Sequence, residues 1–339
     1  RITSKYFSSE HYEYIVTPDD VLKALDIILD VYDEPFGNAS AVPTYFCALL
    51  AKEHGIDTLF AGDGGDEIFG GNERYAANNI FSLYHKIPSI LRERLLEPGI
   101  SKLPSAIPFI EKGKKYIRRA NVPQPDRFYS YNPVTVFGKE EIFSSEALKH
   151  LNGYNPLVWA RNLYNNVKAV SDLNRLLYID MKFTITDNDI RKVTAMSEKA
   201  GVRVCYPLLD HNLVDFAATI PAHLKVNGTK LRYIFKKALH GFLPVEVIKK
   251  KKHGFGLPIG VWIRTKKNIS SFVREILLSP DCSIKPFLRE GFIEDIFKLH
   301  AATNATFYGD IIWLLMIFEL WNKKTSKGFI ERSPLKTAL

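Results

Sequence analysis

The sequence is poor in cysteine and in long apolar runs. Its only cysteines are Cys47, Cys205 and Cys282, and no two of them form a Cys-x-x-Cys pair. This excludes a disulfide framework and a zinc ribbon, and it indicates a reducing, cytoplasmic environment. The longest uninterrupted apolar run, residues 311–318, is far shorter than the roughly 18 residues of a membrane span, so no membrane partner is expected.

The N-terminus also lacks a secretory signal and an initiator methionine, so we expect the chain to begin inside a longer reading frame. With 46% hydrophobic and 24% charged residues among 339, the composition excludes intrinsic disorder and is typical of a protein with a substantial core. The net charge of +9 favours anionic partners, namely nucleic acid, an acidic surface or a polyphosphate nucleotide.

Apolar residues repeat at helical spacing over most of the chain, with two short extended segments between the helices. The pattern predicts a buried parallel strand at residues 56–61 that leads into a glycine cluster, and a second extended segment at residues 202–207. Proline divides residues 80–170 into short helical pieces. The predicted longer helices are an amphipathic one from Pro18 to Tyr32, one over residues 171–199, one capped by Asp210, one from Lys230 to His240, and a buried, aromatic-rich one from Asp310 to Trp321.

The most informative segment is the turn from Gly62 to Gly71, which contains five glycines and three acids directly after the first predicted strand. Glycine lets the backbone approach a ligand closely, while Asp63, Asp66 and Glu67 are able to accept protons or hold cations. A calcium loop is the main rival, but its oxygen ligands alternate over twelve residues, and these acids do not follow that spacing. An acidic turn with a purely structural role stays open.

The second informative segment, residues 249–258, is a run of four lysines followed by His-Gly-Phe-Gly-Leu-Pro. Ammonium groups beside a flexible backbone are suited to gripping a polyphosphate. The alternative is a solvated basic turn without a ligand.

Together these segments resemble the synthetase domain of the asparagine synthetase family, whose hallmark is a strand ending in a Gly-Asp/Glu-Gly-x-Asp-Glu-x-Phe-Gly-Gly loop. The resemblance extends from about Tyr12 to Trp321. It is carried by five segments in the same order as in the family: Asp-Glu-Pro within 33–43, the glycine-acid loop at 59–71, Pro-Leu-Leu-Asp within 207–221, Lys-Leu-Arg-Tyr at 230–233, and Lys-His-Gly-Phe-Gly-Leu-Pro at 252–258.

The resemblance implies an α/β fold with a partial parallel sheet of the adenine-nucleotide alpha-hydrolase (ATP pyrophosphatase) type and a large helical portion. We expect the nucleotide-binding core at residues 1–82, a helical insertion at 83–170, a mostly helical synthetase portion at 171–325, and a tail at 326–339.

The same resemblance implies an ATP-dependent ligase that converts a carboxylate into an acyl-adenylate and pyrophosphate, after which ammonia attacks to give an amide. ATP and Mg²⁺ are the implied cofactors, and aspartate is the first candidate for the carboxylate. Asp63 and Lys252 are the implied catalytic residues, and no metal ligand is assigned. The remaining implied site residues are Ala61, Gly62 and Gly64 at the nucleotide, with Asp66 and Glu67 in support.

The sequence differs from the family at three places. It contains no Ser-Gly-Gly-x-Asp-Ser pyrophosphate loop, and no glutaminase domain with a leading cysteine, so the fragment alone is expected to be inactive and its ammonia to come from elsewhere. Ala195, Arg203 and Cys205 stand where the family has Arg, Glu and Arg. Arg191 and Lys192, about one helical turn before Ala195, are candidates to compensate for the lost arginine.

Three alternatives stay open at this point. The ligase domain could amidate a different carboxylate, or close a β-lactam ring on an internal amine. A non-catalytic scaffold or a nucleic-acid-binding domain would also use the +9 charge, but aromatic residues are scarce around Lys249–Lys252, which disfavours nucleic acid. A homodimer is compatible with all of these.

Overall fold

The computed structural model describes residues 1–104, 108–251 and 254–332, and most of them are helical. The α-helices of these residues, numbered α1 to α22 in chain order, are Ile2–Tyr6, Pro18–Val31, Ala41–Glu53, Gly65–Phe69, Glu73–His85, Ser89–Leu91, Glu97–Lys102, Pro108–Ala120, Pro133–Phe137, Lys139–Ile142, Ser145–Leu151, Leu157–Asn166, Asp172–Asp180, Ile190–Lys199, His211–Thr219, Ala222–Lys225, Tyr233–Ala238, Val245–Lys249, Ile259–Thr265, Lys267–Leu278, Phe292–Ala302 and Ala305–Arg332. π-helical turns occupy Arg92–Leu96 and Met181–Asp189, and 3₁₀ turns occupy Pro207–Leu209 and Lys285–Phe287.

Two short strands, β1 (Thr58–Phe60) and β2 (Arg203–Cys205), form a parallel sheet in which Leu59 lies opposite Val204. Both strands fall inside the extended segments predicted from the sequence, and the predicted parallel direction is confirmed. The prediction that the first strand is buried is wrong, because the side chain of Phe60 is 76% exposed. An apolar strand sequence does not reveal which of its faces other elements cover.

The helix α2 shows how local sequence fixes an element and its orientation. Thr17 caps the helix by accepting a hydrogen bond from the backbone N–H of Asp20, while the Asp20 carboxylate accepts from the Thr17 backbone N–H at 2.9 Å. Pro18 occupies the first helical position, where its missing N–H is not needed. The apolar stripe that includes Val21 and Leu25 is buried, as its helical spacing predicts.

One large hydrophobic core joins the N-terminal helices α2 and α3 to the C-terminal helices α19–α22. The helices α19 and α22 approach each other closely at Gly260 and Gly309, where a Cβ added at Gly309 would lie 2.1 Å from Gly260 Cα. Trp313 of α22 is buried and donates its indole N–H to the carbonyl of Gly37 at 3.0 Å. The aromatic-rich end of the chain is therefore core, as predicted.

No helix in the described part of the chain combines the length and the apolar character that crossing a lipid bilayer requires.

Residues 172–199 form one continuous rod, as predicted, although its middle is π-helical. Ser171 caps α13 by accepting from the backbone N–H of Asn174, and the π-helix Met181–Asp189 leads directly into α14. A π-helical turn rotates the residues that follow it relative to a regular α-helix. This rod lies beside both the sheet and α3, and it forms one wall of the cavity described below.

The helix predicted from Lys230 to His240 is shorter than expected, because α17 begins only at Tyr233. Arg232 adopts the left-handed conformation, with φ of 50°, and its backbone N–H donates to the carbonyl of Gly70 at 3.1 Å. Asn227 and Lys230 exchange backbone hydrogen bonds across a tight turn. Because of these contacts, residues 230–232 are not helical, although the spacing of the apolar residues predicts a helix there.

A buried carboxylate connects α22 to the turn before α21. Glu319 is fully buried and accepts hydrogen bonds from the backbone N–H groups of Ser283 and Ile284, both at 3.0 Å, and from the Ser283 hydroxyl at 2.7 Å. Lys323 forms an ion pair with it at 2.8 Å. Burial alone would raise the pKa of Glu319, but these donors outweigh burial and lower it.

Replacing this carboxylate should destabilise the fold. We expect Glu319→Ala to lower the free energy of unfolding by about 2–4 kcal/mol, because it leaves buried N–H groups without an acceptor. The lowered pKa means that the ionised carboxylate stabilises the fold above its usual pKa of 4.5 and that this contribution is lost as pH falls further. Urea unfolding at pH 7 and at pH 4 measures both effects, with the exposed Glu290→Gln as control. Equal stability of Glu319→Ala and wild type would contradict this assignment.

Candidate active site

A cavity of about 650 Å³ opens where the two parallel strands end. Its walls come from five parts of the chain, one of which is the segment 38–47 that leads into and forms the start of α3. They include Ala61–Gly64 after β1, Val204 in β2, the face of the helical rod around Asp189, and Gly254–Gly256 after the lysine run. Ligands of open parallel sheets bind at this end of the strands, so the position itself marks a candidate binding site.

The glycine-acid turn begins where the backbone N–H of Ala61 donates to the Cys205 carbonyl at 2.9 Å, which ends the strand pair. Gly64 then has a φ of 91° and precedes α4, and a Cβ at this position would lie 2.2 Å from Leu209 Cδ2. At Gly71 an added Cβ would lie 1.6 Å from Asp66 Oδ1. Both glycines are therefore required by conformation or by space, as the sequence pattern indicated for the turn.

Asp63 lies in the cavity wall at the start of this turn and is partly buried. Burial raises the pKa of its carboxyl above the usual 3.8, the positive charge of Lys192 opposes that shift, and the negative charge of Asp189 adds to it. A carboxylate with a raised pKa is a better proton acceptor than one in water. The environment of Asp63 therefore suits general-base chemistry.

Asp189 is a cavity residue that was not predicted, and both Arg191 and Lys192 were candidates to compensate for the lost arginine. Lys192 is buried and lines the cavity together with Asp189, with which it forms an ion pair at 2.8 Å. Arg191 instead pairs with the carboxylates of Asp33 and Glu34. The spacing of residues 189, 192, 193 and 197 places their side chains on one helix face, and this spacing could have predicted that they line the same cavity.

Asp66 and Glu67 lie in the first turn of α4 and also line the cavity. Asp66 Oδ1 lies 3.4 Å from the guanidinium of Arg232, and the backbone N–H groups of Gly70 and Gly71 both donate to the Asp66 carbonyl at 2.8 Å. Asp66 thus joins the glycine turn to the Lys-Leu-Arg-Tyr segment.

The described residues of the segment 249–258 contribute to two different cavities. Lys249–Lys251 line a separate, strongly basic cavity of about 890 Å³ together with Lys236 and Lys237. Gly254, Phe255 and Gly256 line the candidate active site. Lys252, the implied catalytic lysine, lies outside the described residues, between these two groups.

The three residues that depart from the family pattern are placed as follows. Ala195 packs against the large core, Arg203 is exposed on β2, and Cys205 is half-buried as a free thiol. In β2 the cavity is lined by Val204, which lies between Arg203 and Cys205 in the sequence.

The structure defines an α/β protein in which a glycine- and acid-rich turn closes one side of a ligand-sized cavity at the strand ends. The chain belongs to the asparagine synthase family, whose family model matches residues 1–323. The family expected from the five segments is therefore confirmed.

Among curated relatives, asparagine synthetase [glutamine-hydrolyzing] 1 of Bacillus subtilis is 26% identical over 324 residues, covering 94% of this chain and 48% of the relative. A putative asparagine synthetase [glutamine-hydrolyzing] of Mycobacterium tuberculosis is 23% identical over 331 residues, covering 94% of this chain and 47% of the relative. The chain spans about half the length of these relatives.

The two glycines nearest Asp63 should respond differently to alanine. We expect Gly64→Ala to destabilise the fold by about 1–3 kcal/mol, because it combines a positive φ with a clash against Leu209. Gly62→Ala is the matched control, since an added Cβ there meets no atom within 4 Å among the described residues. Thermal or urea unfolding of the two variants provides the comparison, and equal stability would contradict the described turn.

Proposed function

We propose that this chain provides the synthetase site of an ATP-dependent amide-forming ligase. The observation that carries the proposal is the convergence of the glycine-acid turn, the Asp189–Lys192 pair and Gly254–Gly256 on one cavity, in a chain of the asparagine synthase family. The reaction activates a carboxylate as an acyl-adenylate with release of pyrophosphate, and ammonia then attacks the acyl carbon to give the amide and AMP. We propose that residues 1–82 contribute to a sheet of the ATP pyrophosphatase type.

The cavity fits a nucleotide in size and in chemistry. At about 650 Å³ it lies within the range of small-molecule sites. Its wall includes Phe60 and Phe255, whose exposed rings are able to stack on a purine base. We assign Ala61, Gly62 and Gly64 to contacts with the nucleotide, since glycine permits close approach of backbone N–H groups to phosphate.

The cavity also fits the Mg²⁺ that accompanies ATP. Mg²⁺ is typically held by one or two protein carboxylates together with phosphate oxygens and water. Asp189 is a carboxylate of the cavity wall and would hold the ion, which leaves Asp63 uncoordinated as the base. When bound, the ion neutralises negative charge on the phosphates; the residues of this chain position the reactants.

We assign proton transfer to Asp63 and charge stabilisation to the lysines. The raised pKa of Asp63 allows its carboxylate to remove a proton from the attacking ammonium. The buried ammonium of Lys192 lies in the same wall, where it offsets negative charge on the reactants. Lys252 is proposed to stabilise charge on the phosphate or on the tetrahedral intermediate, and Asp66 and Glu67 to keep the turn in place.

The relatives are named glutamine-hydrolysing asparagine synthetases, which supports aspartate as acceptor and a glutaminase as ammonia source. We propose both for this protein. The helical segments at 83–170 and 171–325 are proposed as an insertion and as the part that completes the site.

Removing the Asp63 carboxylate should abolish most of the activity. In the protein expressed from its complete reading frame, we expect Asp63→Ala and Asp63→Asn to lower pyrophosphate release, measured with ATP, aspartate and ammonia, by about 10²–10⁴-fold. The wild-type rate should rise with pH through the raised pKa of Asp63, because the ionised form is the base. Asp57→Asn, on the exposed approach to β1, is the control. An unchanged rate in Asp63→Ala would remove Asp63 from this role.

The lysine run offers a second test within the same assay. We expect Lys252→Ala to lower the rate by about 10²-fold or more, because an electrostatic contact with the reacting groups is lost. Lys250→Ala should stay within about twofold of wild type, since Lys250 lines the separate basic cavity. The opposite pattern would move the catalytic lysine by two positions.

A further inference from the structure

A smaller cavity, of about 340 Å³, lies behind the glycine-acid turn and is distinct from both the candidate active site and the basic cavity. Glu67 of α4 lines both this cavity and the candidate active site, so the two spaces lie on either side of one short helix. The far wall is formed by Lys225 and by residues of α13 and α15. An added Cβ at Gly70 would lie 3.5 Å from Lys225 Cβ, which shows how closely Lys225 packs behind the turn.

Lys225 is the unusual residue of this cavity. Lys225 is only 3% exposed and lines the cavity, yet no hydrogen bond or ion pair of its amine is found within residues 1–104, 108–251 and 254–332. A buried ammonium without a partner is costly, and lysine is rarely fully buried unless it is paired. The amine therefore offers unused hydrogen-bonding capacity to whatever occupies the cavity.

A second polar group with unused capacity lies in the same wall. The side-chain oxygen of Asn174, in the first turn of α13, is buried and has no hydrogen-bond partner in the described part of the chain. Buried amide groups are nearly always hydrogen-bonded in native proteins. Lys225 and Asn174 thus present a cation and an acceptor to one small space.

The rest of the cavity limits the size and character of a ligand. Much of the wall is apolar, with Leu177, Met181 and Val214 among its residues, and the volume is near the lower end for small-molecule sites. Lys168 lines the cavity as a second cation, so two amines face the single carboxylate of Glu67 and the net charge of the wall is positive. These features select a compact anion with a short carbon chain.

We propose that this cavity binds a small carboxylate carrying a hydrogen-bond donor next to the carboxyl group, as α-hydroxy and α-amino acids do. The carboxylate pairs with Lys225, and the neighbouring hydroxyl or amino group donates to Asn174. The proposal concerns a site separate from the nucleotide cavity and does not rest on the ligase function.

The acid–base behaviour of Lys225 supports this assignment. Burial lowers the pKa of its amine to about 8, so the free site is partly neutral near that pH. Because a bound carboxylate favours the charged amine, binding must raise this pKa, and affinity must fall as the pH rises above about 8. The other titratable side chains that line the cavity are Glu67, Lys168 and Tyr178.

Three size-matched probes separate charge from hydrogen bonding: L-lactate, its uncharged amide lactamide, and propionate, which lacks the hydroxyl. Binding is measured by calorimetry without ATP, and NMR of labelled lysine follows the Lys225 pKa. We expect lactate to bind at least about tenfold more tightly than lactamide, and more tightly than propionate. Equal affinity for lactate and lactamide, or no saturable binding of lactate, would overturn the proposal.

Two variants assign the contacts. Lys225→Met should lower lactate affinity to that of lactamide while the protein stays folded, since replacing an unpaired buried cation by an apolar side chain of similar length is neutral or stabilising. Asn174→Ala should reduce lactate affinity to that of propionate. Lys149→Met, at an exposed lysine, is the control and should bind lactate like wild type. Unchanged lactate affinity in Lys225→Met would also overturn the proposal.

The lactate-binding proposal and the ligase proposal are tested by separate measurements, so one can be wrong while the other holds. Loss of pyrophosphate release in the assay above leaves lactate binding measurable, and absence of lactate binding leaves the ligase reaction unaffected.

Discussion

The candidate site depends on one tight turn in which the backbone must pass through a conformation that side chains disfavour. Gly64 has a φ of 91° and packs against Leu209, while Gly71 leaves room for the carboxylate of Asp66. The turn directs Asp63 toward the cavity and starts α4, whose residues Asp66 and Glu67 complete that wall. Because Gly64 has a positive φ and a side chain at Gly71 would displace the Asp66 carboxylate, the positions of the acids depend on both glycines.

This turn is held from behind by residues that are remote in sequence. The carbonyl of Gly70 accepts from the Arg232 backbone N–H, and the Arg232 guanidinium lies 3.4 Å from Asp66. Arg232 has a positive φ, a strained conformation that the surrounding contacts maintain. Lys225, which lines the smaller cavity of about 340 Å³, packs against the same turn. The acidic turn therefore lies between the candidate active site and the smaller cavity. The carboxylate of Glu67 in α4 lines both cavities and contributes to the electrostatic potential of each.

Charge is distributed unevenly around the site. The net positive charge of the chain is concentrated in part at Lys249–Lys251, which line a basic cavity beside the Lys-Leu-Arg-Tyr segment. In the candidate active site itself, Lys192 is paired with Asp189, and both influence the pKa of Asp63. The described lysines of the run therefore share one cavity, whereas Gly254–Gly256 of the same segment line the candidate active site.

The sequence by itself determined the family, the parallel direction of the strands, the start of α2 at Pro18, the cap of α15 by Asp210, and the glycine turn, because each depends on residue types at short, fixed spacings. Tertiary structure decided the rest. Lys192 rather than Arg191 enters the cavity because the rod 172–199, with its π-helical turn, is rotated by packing against α3 and β2. Lys225 is buried, and Arg232 leaves the helix that its neighbours predict, because both contact the turn at Gly70 about 155–162 positions earlier in the chain. Contacts between residues so distant in sequence leave no periodic pattern, so only the folded chain reveals them.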